Sequence, residues 1–180
     1  GARLPHGRKA SGRVQLRIDL KQHNYEAIAL KSYCQNDLQF AEDIVHTLQN
    51  GDLIIRDLGY FVVPVFSKIM AQGAYFLSRL NLSTHVLSPE NERIIDLVAF
   101  LKKKEQQGIR NVDMPVLLSY KHRIPVRFVA IKLTDQQAKK RRQMAKTQRH
   151  KNSPISQKAS YLMSWNLFIT NVESSIWDVP

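Results

Sequence analysis

Asp57 is the carboxylate best placed to do chemistry. It follows the apolar run Leu53-Ile54-Ile55 and Arg56, and precedes Leu58, Gly59 and the aromatic pair Tyr60-Phe61. An acid at the end of a buried strand emerges toward the crevice where α/β sheets bind ligands. The same residues also read as plain turn chemistry, since aspartate close to glycine favours a turn with no further role. The second candidate group is cationic. Lys139, Lys140, Arg141, Arg142, Lys146, Arg149 and Lys151 form a run that no acid interrupts. Blocks of like charge are usually solvated faces, but density and the lack of acids point this one toward phosphate. Arg79 ends another strand-like stretch and is a third cation of this kind. Trp165, downstream of the basic run, reads as a core aromatic or as a platform for a splayed base, a contact worth ~1–3 kcal/mol.

Other chemically capable residues read more simply. Asp19 lies on the polar side of a strand between Arg17 and Lys21, as a charge partner or a metal ligand. His46 and Met70 fall among helical core positions. Cys34 is the single cysteine, so no internal disulfide forms and no cysteine-rich zinc site is available. It reads as a core filler in a reducing cytoplasm.

The elements that must position these groups follow from the hydrophobic pattern. Val14, Leu16, Ile18 and Leu20 alternate with polar residues, the period of a half-buried strand, and Tyr25 to Lys31 returns as a second. Asn36 and Gln39 form a capping-box pattern before a helix that runs to Leu48 and stops at Asn50-Gly51. Leu53 to Ile55 is a short, fully buried strand. Pro64 opens a helix that Gly73 ends, and Ala74 to Arg79 is the next strand. Ser88-Pro89 opens a helix closed by Lys102, Lys103 and Lys104, whose charge suits its carboxyl end. Met114 to Tyr120 and Pro125 to Leu133 read as an antiparallel pair. Thr134 and Gln137 make a second capping box, at the head of the basic helix. A short helix from Ser156 and a strand over Trp165 to Asn171 complete the pattern. This order predicts an α/β mixed sheet. Its first part spans residues 1–80, residues 81–163 form an inserted, mostly β subdomain with the basic helix, and 164–180 return to the sheet.

Composition bounds the partner. The 180 residues carry a net charge of +12, from 27 Lys and Arg against 15 Asp and Glu. That excess selects a polyanion, most simply nucleic acid, with an acidic membrane surface as competitor. No apolar run approaches the ~20 residues that span a bilayer, and the first residues lack a secretory pattern.

Three stretches together resemble a family. Gly51-Asp52-Leu53-Ile54-Ile55-Arg56-Asp57-Leu58-Gly59-Tyr60-Phe61 resembles the second-aspartate region of DDE transposases of bacterial insertion sequences, the group with a Tyr-Arg-Glu-Lys signature. Gly73-Ala74-Tyr75-Phe76-Leu77-Ser78-Arg79-Leu80 is similar to the strand and basic residue that follow. Ser164-Trp165-Asn166-Leu167-Phe168-Ile169-Thr170-Asn171-Val172 is similar to the strand before the signature helix. The resemblance covers Arg13 to Val172. It implies a ribonuclease H-like fold and transposase activity on double-stranded DNA, at transposon ends and target. It implies three carboxylates that hold two Mg²⁺ or Mn²⁺ ions for in-line displacement at phosphorus, with Asp57 as the second. It also implies a bacterial, nucleoid-associated setting and a homodimer of the full-length protein.

The departures shape a further expectation. Leu58 stands where the family often has arginine. Gly1 to Gly12 holds no acid for the first aspartate, and Glu173 lacks the Tyr and Arg context of the signature. The chain therefore reads as the middle of a catalytic domain, with one of three catalytic acids and no activity alone. The competing reading is a non-catalytic nucleic-acid-binding module, including a decayed or co-opted transposase; a third is an RNA-associated protein. Preference for duplex DNA over RNA of equal charge separates these.

Overall fold

The computed structural model describes residues 12–32, 41–148 and 155–178. The chain divides into two units, residues 1–40 and 41–180. In the first, β1 (Gly12–Asp19) and β2 (Asn24–Ser32) pair antiparallel. Val14 faces Leu30, Leu16 faces Ile28, and Ile18 faces Tyr25, so one side of the ribbon is apolar. Two strands alone supply no second layer for that side. The Asp19 carboxylate accepts the backbone N–H of Lys21 at 2.7 Å and of Gln22 at 3.0 Å. It closes the turn, and Arg17 pairs instead with Glu26 at 2.6 Å.

The second unit is a six-stranded mixed sheet with helices. Its strands are β3 (Leu53–Arg56), β4 (Tyr75–Arg79), β5 (Val86–Leu87), β6 (Asn111–Leu118), β7 (Ile124–Lys132) and β8 (Trp165–Thr170). The spatial order is β3-β4-β8-β7-β6-β5. β3 and β4 are parallel; every other neighbouring pair is antiparallel. The mixed α/β architecture expected from the sequence is present. The strands of residues 81–163, expected as an inserted subdomain, are β5, β6 and β7 of this sheet.

β3 departs from its expected full burial. It is an outer strand, and its side chains alternate: Arg56 is buried, while Leu53 and Ile55 are exposed. The continuous apolar run concealed a strand covered on one face only. Gly73 ends α1 (Val63–Ala71) as expected, in the left-handed region at φ +68°. A side chain there would strike Asn50. The Gly73 carbonyl accepts the N–H of Gly51, which fixes the start of β3 beside the start of β4. From α1, Phe66 stacks on Phe76 of β4 with centroids 4.4 Å apart, and Phe61 meets Phe66 edge-on at 5.1 Å. All three rings are buried.

Two helices differ from the sequence reading. The segment expected as a helix from Asn36 to Leu48 is, from Ala41 onward, a series of turns with one 3-10 turn at Val45–Thr47. Its capping pair, Asn36 and Gln39, lies outside the described residues, as does Cys34. The helix expected from Ser88 begins nine residues later, as α2 (Leu97–Gln106). Ile94 and Ile95 bond to the short strand β5 instead, and Asp96 caps α2 by accepting from Val98 and Ala99. An aspartate cap with free N–H groups ahead of it outcompetes the earlier serine. The second capping box is realised: Thr134 and Gln137 exchange hydrogen bonds at the head of α3 (Asp135–Gln148). Ser156 caps α4 (Gln157–Leu162) through Ala159 N–H.

Phe66 and Phe76 of the aromatic stack are fully buried. Phe76→Ala should destabilise the chain by about 3–5 kcal/mol, because a fully buried ring leaves a cavity that rigid neighbours do not fill. Urea unfolding measures it. A cost below ~1 kcal/mol would mean that the stack does not hold β4 to α1.

Candidate nucleic-acid interface

Asp57 stands at the carboxyl end of β3, where the strand turns into the 3-10 turn Leu58–Tyr60. It occupies the cap position of that turn, yet its side chain makes no capping bond and is exposed. The preceding Arg56 points to the opposite face and is buried. Its guanidinium donates to the Ala41 carbonyl at 2.8 Å and lies 5.5 Å from the Tyr60 ring centre. Burial lowers its pKa to about 10, which leaves it charged at neutral pH. Arg56 thus ties the strand end to both flanking segments while Asp57 projects outward.

The register brings a cation beside Asp57. Arg56 pairs with Ser78 as the last step of the parallel β3–β4 ladder. The next residues, Asp57 and Arg79, therefore end adjacent parallel strands at one level. Arg79 lines a cleft of about 640 Å³ together with Leu58, Lys140, Arg141 and Met144. Three of the cations singled out in the sequence meet there, on two separate elements.

The basic helix is not a uniform row of free charge. Arg141 donates to the Trp165 carbonyl at 2.9 Å and to Asn166 Oδ1 at 2.6 Å. Its pKa is lowered by burial and then by the nearby Arg79. Arg142 donates from Nε to the Ser160 carbonyl at 3.0 Å. These two arginines dock α3 on β8 and α4, with part of each guanidinium left over. Lys139, Lys140 and Lys146 are exposed. Arg149 and Lys151 lie outside the described residues.

Trp165 requires a correction. It borders the cleft but is only 1% exposed, so no ring face remains for a base. The Lys132 ammonium lies 5.1 Å from its ring centre and 5.3 Å from that of Tyr161. Lys132 also pairs with Glu105 at 2.8 Å, and Glu105 accepts from the Tyr161 hydroxyl at 2.8 Å. The sequence reading missed this cluster. Its signal was a lysine in phase with Phe128 and Ala130, on the buried side of β7. The Lys132 hydrogen bond lowers the Glu105 pKa, and burial, then the bond to Glu105, pushes the Tyr161 phenol up to about 12.

Among the described residues no three His, Cys, Asp or Glu side chains gather as a metal-binding group. His46 belongs to the 3-10 turn at Val45–Thr47. Among the described residues no helix is long and apolar enough to cross a membrane.

Comparison with known proteins places these features in a family. The family model described as the transposase DDE domain matches residues 3–175. The transposase for insertion sequence element IS231F of Bacillus thuringiensis subsp. israelensis is 29% identical over 174 residues, which cover 88% of this chain and 36% of that protein. The transposase for insertion sequence element IS231B of Bacillus thuringiensis subsp. berliner is 27% identical over 183 residues, 91% of this chain and 37% of its own length. The chain thus spans little more than a third of these curated relatives. No solved structure matches.

The Lys132 cluster yields a pH test. The folded chain holds the Tyr161 proton more tightly than the unfolded chain, so this stabilisation is complete below the ordinary phenol value of 10 and is lost as pH rises toward 12. Tyr161→Phe should flatten that part of the alkaline fall in unfolding free energy, measured by urea titration across the range. An unchanged fall would assign it to other groups.

Proposed function

The chain belongs to the transposase DDE domain family, and on that premise we propose that it is the central part of a DNA transposase catalytic domain of ribonuclease H-like fold. The observation that carries the proposal is the alignment of Asp57 with Arg79 at the ends of two parallel strands, beside a cleft lined by Lys140 and Arg141. That alignment sets an exposed carboxylate next to positive charge suited to a phosphate backbone. The reaction class is cleavage and transfer of DNA strands at insertion-sequence ends.

DDE transposase domains generally use divalent metal ions. Asp57 suits one place in such a site: its oxygens are hard donors of the kind Mg²⁺ and Mn²⁺ take, and no capping bond engages them. One carboxylate does not make a metal site, and the described residues do not complete one. What the described residues do is hold DNA: Arg79 and Lys140 contact phosphates, while Arg141, fixed to β8, presents the rest of its guanidinium to the same cleft.

A non-catalytic DNA-binding module is the second reading. The same two observations favour it, a basic cleft and a lone carboxylate. The two readings part at Asp57. In the polypeptide extended to the relatives' length, Asp57→Asn should abolish metal-dependent strand cleavage and leave DNA affinity within about twofold. Cleavage that survives the substitution would remove Asp57 from the reaction and leave the binding module. The 180-residue chain itself should bind duplex DNA without cutting it.

The cleft has its own test. Binding to duplex DNA, followed by anisotropy against salt concentration, should weaken with a log–log slope that falls by about 0.9 for each phosphate contact removed. Arg79→Gln with Lys140→Gln should lower the slope by about 1.8. An unchanged slope would make these two cations a solvated surface.

A further inference from the structure

We propose that α3 separates two DNA-binding surfaces, and that its face away from the cleft joins α4 and α2 in a second site for duplex phosphates. The proposal rests on the DNA reading above and extends it to residues that reading does not use. At 100° per residue, Gln137, Lys140, Arg141 and Met144 share one side of α3, and all four line the cleft. Lys139, Arg142 and Lys146 fall on the opposite side. A rigid duplex engaged in the cleft cannot also cover that side.

The second surface continues beyond α3. Arg142 reaches the Ser160 carbonyl of α4 at 3.0 Å. On the next residue of α4, the Tyr161 ring carries the Lys102 ammonium of α2 at 5.5 Å. Lys158 and Lys102 both act on Asp96, whose pKa is lowered first by the Ala99 N–H that it accepts, then by the Val98 N–H, and then by these cations. The three helices therefore bring Lys102, Lys158, Arg142, Lys139 and Lys146 into one connected belt. Lys102, Lys139, Lys146 and Lys158 are exposed and form no salt bridge among the described residues. Two nearby acids are engaged, Asp96 as the cap of α2 and Glu105 by Lys132 and Tyr161; one further acid, Asp135, stands on the same side at the head of α3, where five cations of the belt outnumber it. Exposed lysines on three helices, with no salt bridge of their own among the described residues, supply the charge that a phosphate backbone takes. The partner is therefore duplex DNA held through its phosphate backbone.

Stoichiometry tests the proposal. The 180-residue chain is titrated, at concentrations well above Kd and at low salt, with a labelled duplex of about ten base pairs, one helical turn. Two duplexes per chain are expected. The belt variant Lys102→Gln, Lys139→Gln, Lys146→Gln, Lys158→Gln should hold one, and so should the cleft variant Arg79→Gln, Lys140→Gln. Combining the two sets should hold none. One duplex per wild-type chain, lost in the cleft variant and kept in the belt variant, overturns the second surface and leaves the DNA reading standing. One duplex that both variants weaken also overturns it, because a single duplex then spans both sides. No duplex bound by the wild type defeats the DNA reading itself.

Discussion

The body of the protein depends on the position of β8 between β4 and β7. Its ladder to β7 runs the full length of the strand, from Trp165 to Thr170, but its ladder to β4 has only three steps. Side chains extend the shorter one. Thr170 donates to the Phe76 carbonyl at 2.6 Å, and Asn171 accepts the Phe76 N–H at 2.8 Å while donating to the Ala74 carbonyl at 3.0 Å. Residues more than ninety apart in sequence are joined this way, so the last strand closes a very long loop. Closing it costs chain entropy before any of these bonds form. Until β8 is in place, the β3–β4 pair and the β6–β7 pair are separate pieces, and the cleft at their junction does not exist.

The same strand explains why two of the arginines in the basic run are not free. Arg141 reads the Trp165 carbonyl and the Asn166 amide, so α3 is oriented by the start of β8. Arg142 performs the parallel task for α4. At the other end of β8, Arg127 pairs with Asp113 and donates to the carbonyls of Val172 at 2.7 Å and Trp177 at 3.0 Å, fastening the chain that leaves β8. Arginine suits such positions because its planar fork satisfies several acceptors at once. Lysines fill the exposed positions of the same helix, where a solvated point charge can meet a phosphate without first breaking an internal bond.

What the sequence revealed follows from how local each signal is. Gly73 and the Thr134–Gln137 box were legible because a left-handed turn and a capping box are decided within four residues. The emergence of Asp57 at a strand end was legible for the same reason, and so was Arg79 at the end of the next strand. Burial was not. Leu53-Ile54-Ile55 reads as a core strand, yet being outermost leaves two of its three side chains exposed, a property of its neighbours and not of its composition. Trp165 reads as either core or platform, and only the cover supplied by Lys132 and Tyr161 decides for core. The start of α2 was misplaced because Ile94 and Ile95 satisfy helical periodicity and strand pairing equally, and β5 claims them.

A docked helix also changes what its charge is worth. A flexible basic tail must order its side chains and backbone on meeting a polyanion, which subtracts from affinity. The two arginines of α3 meet that cost for the backbone during folding, so Lys140 on one side and Lys139 and Lys146 on the other start from a helix already docked. The desolvation that lowers the Arg141 pKa is part of the same bargain. Its charge stays close to Arg79 because carbonyl and amide oxygens of β8 hold it there. Two like charges held adjacent repel each other, and on the proposed reading an incoming phosphate relieves that repulsion between them, with Asp57 at the end of the neighbouring strand.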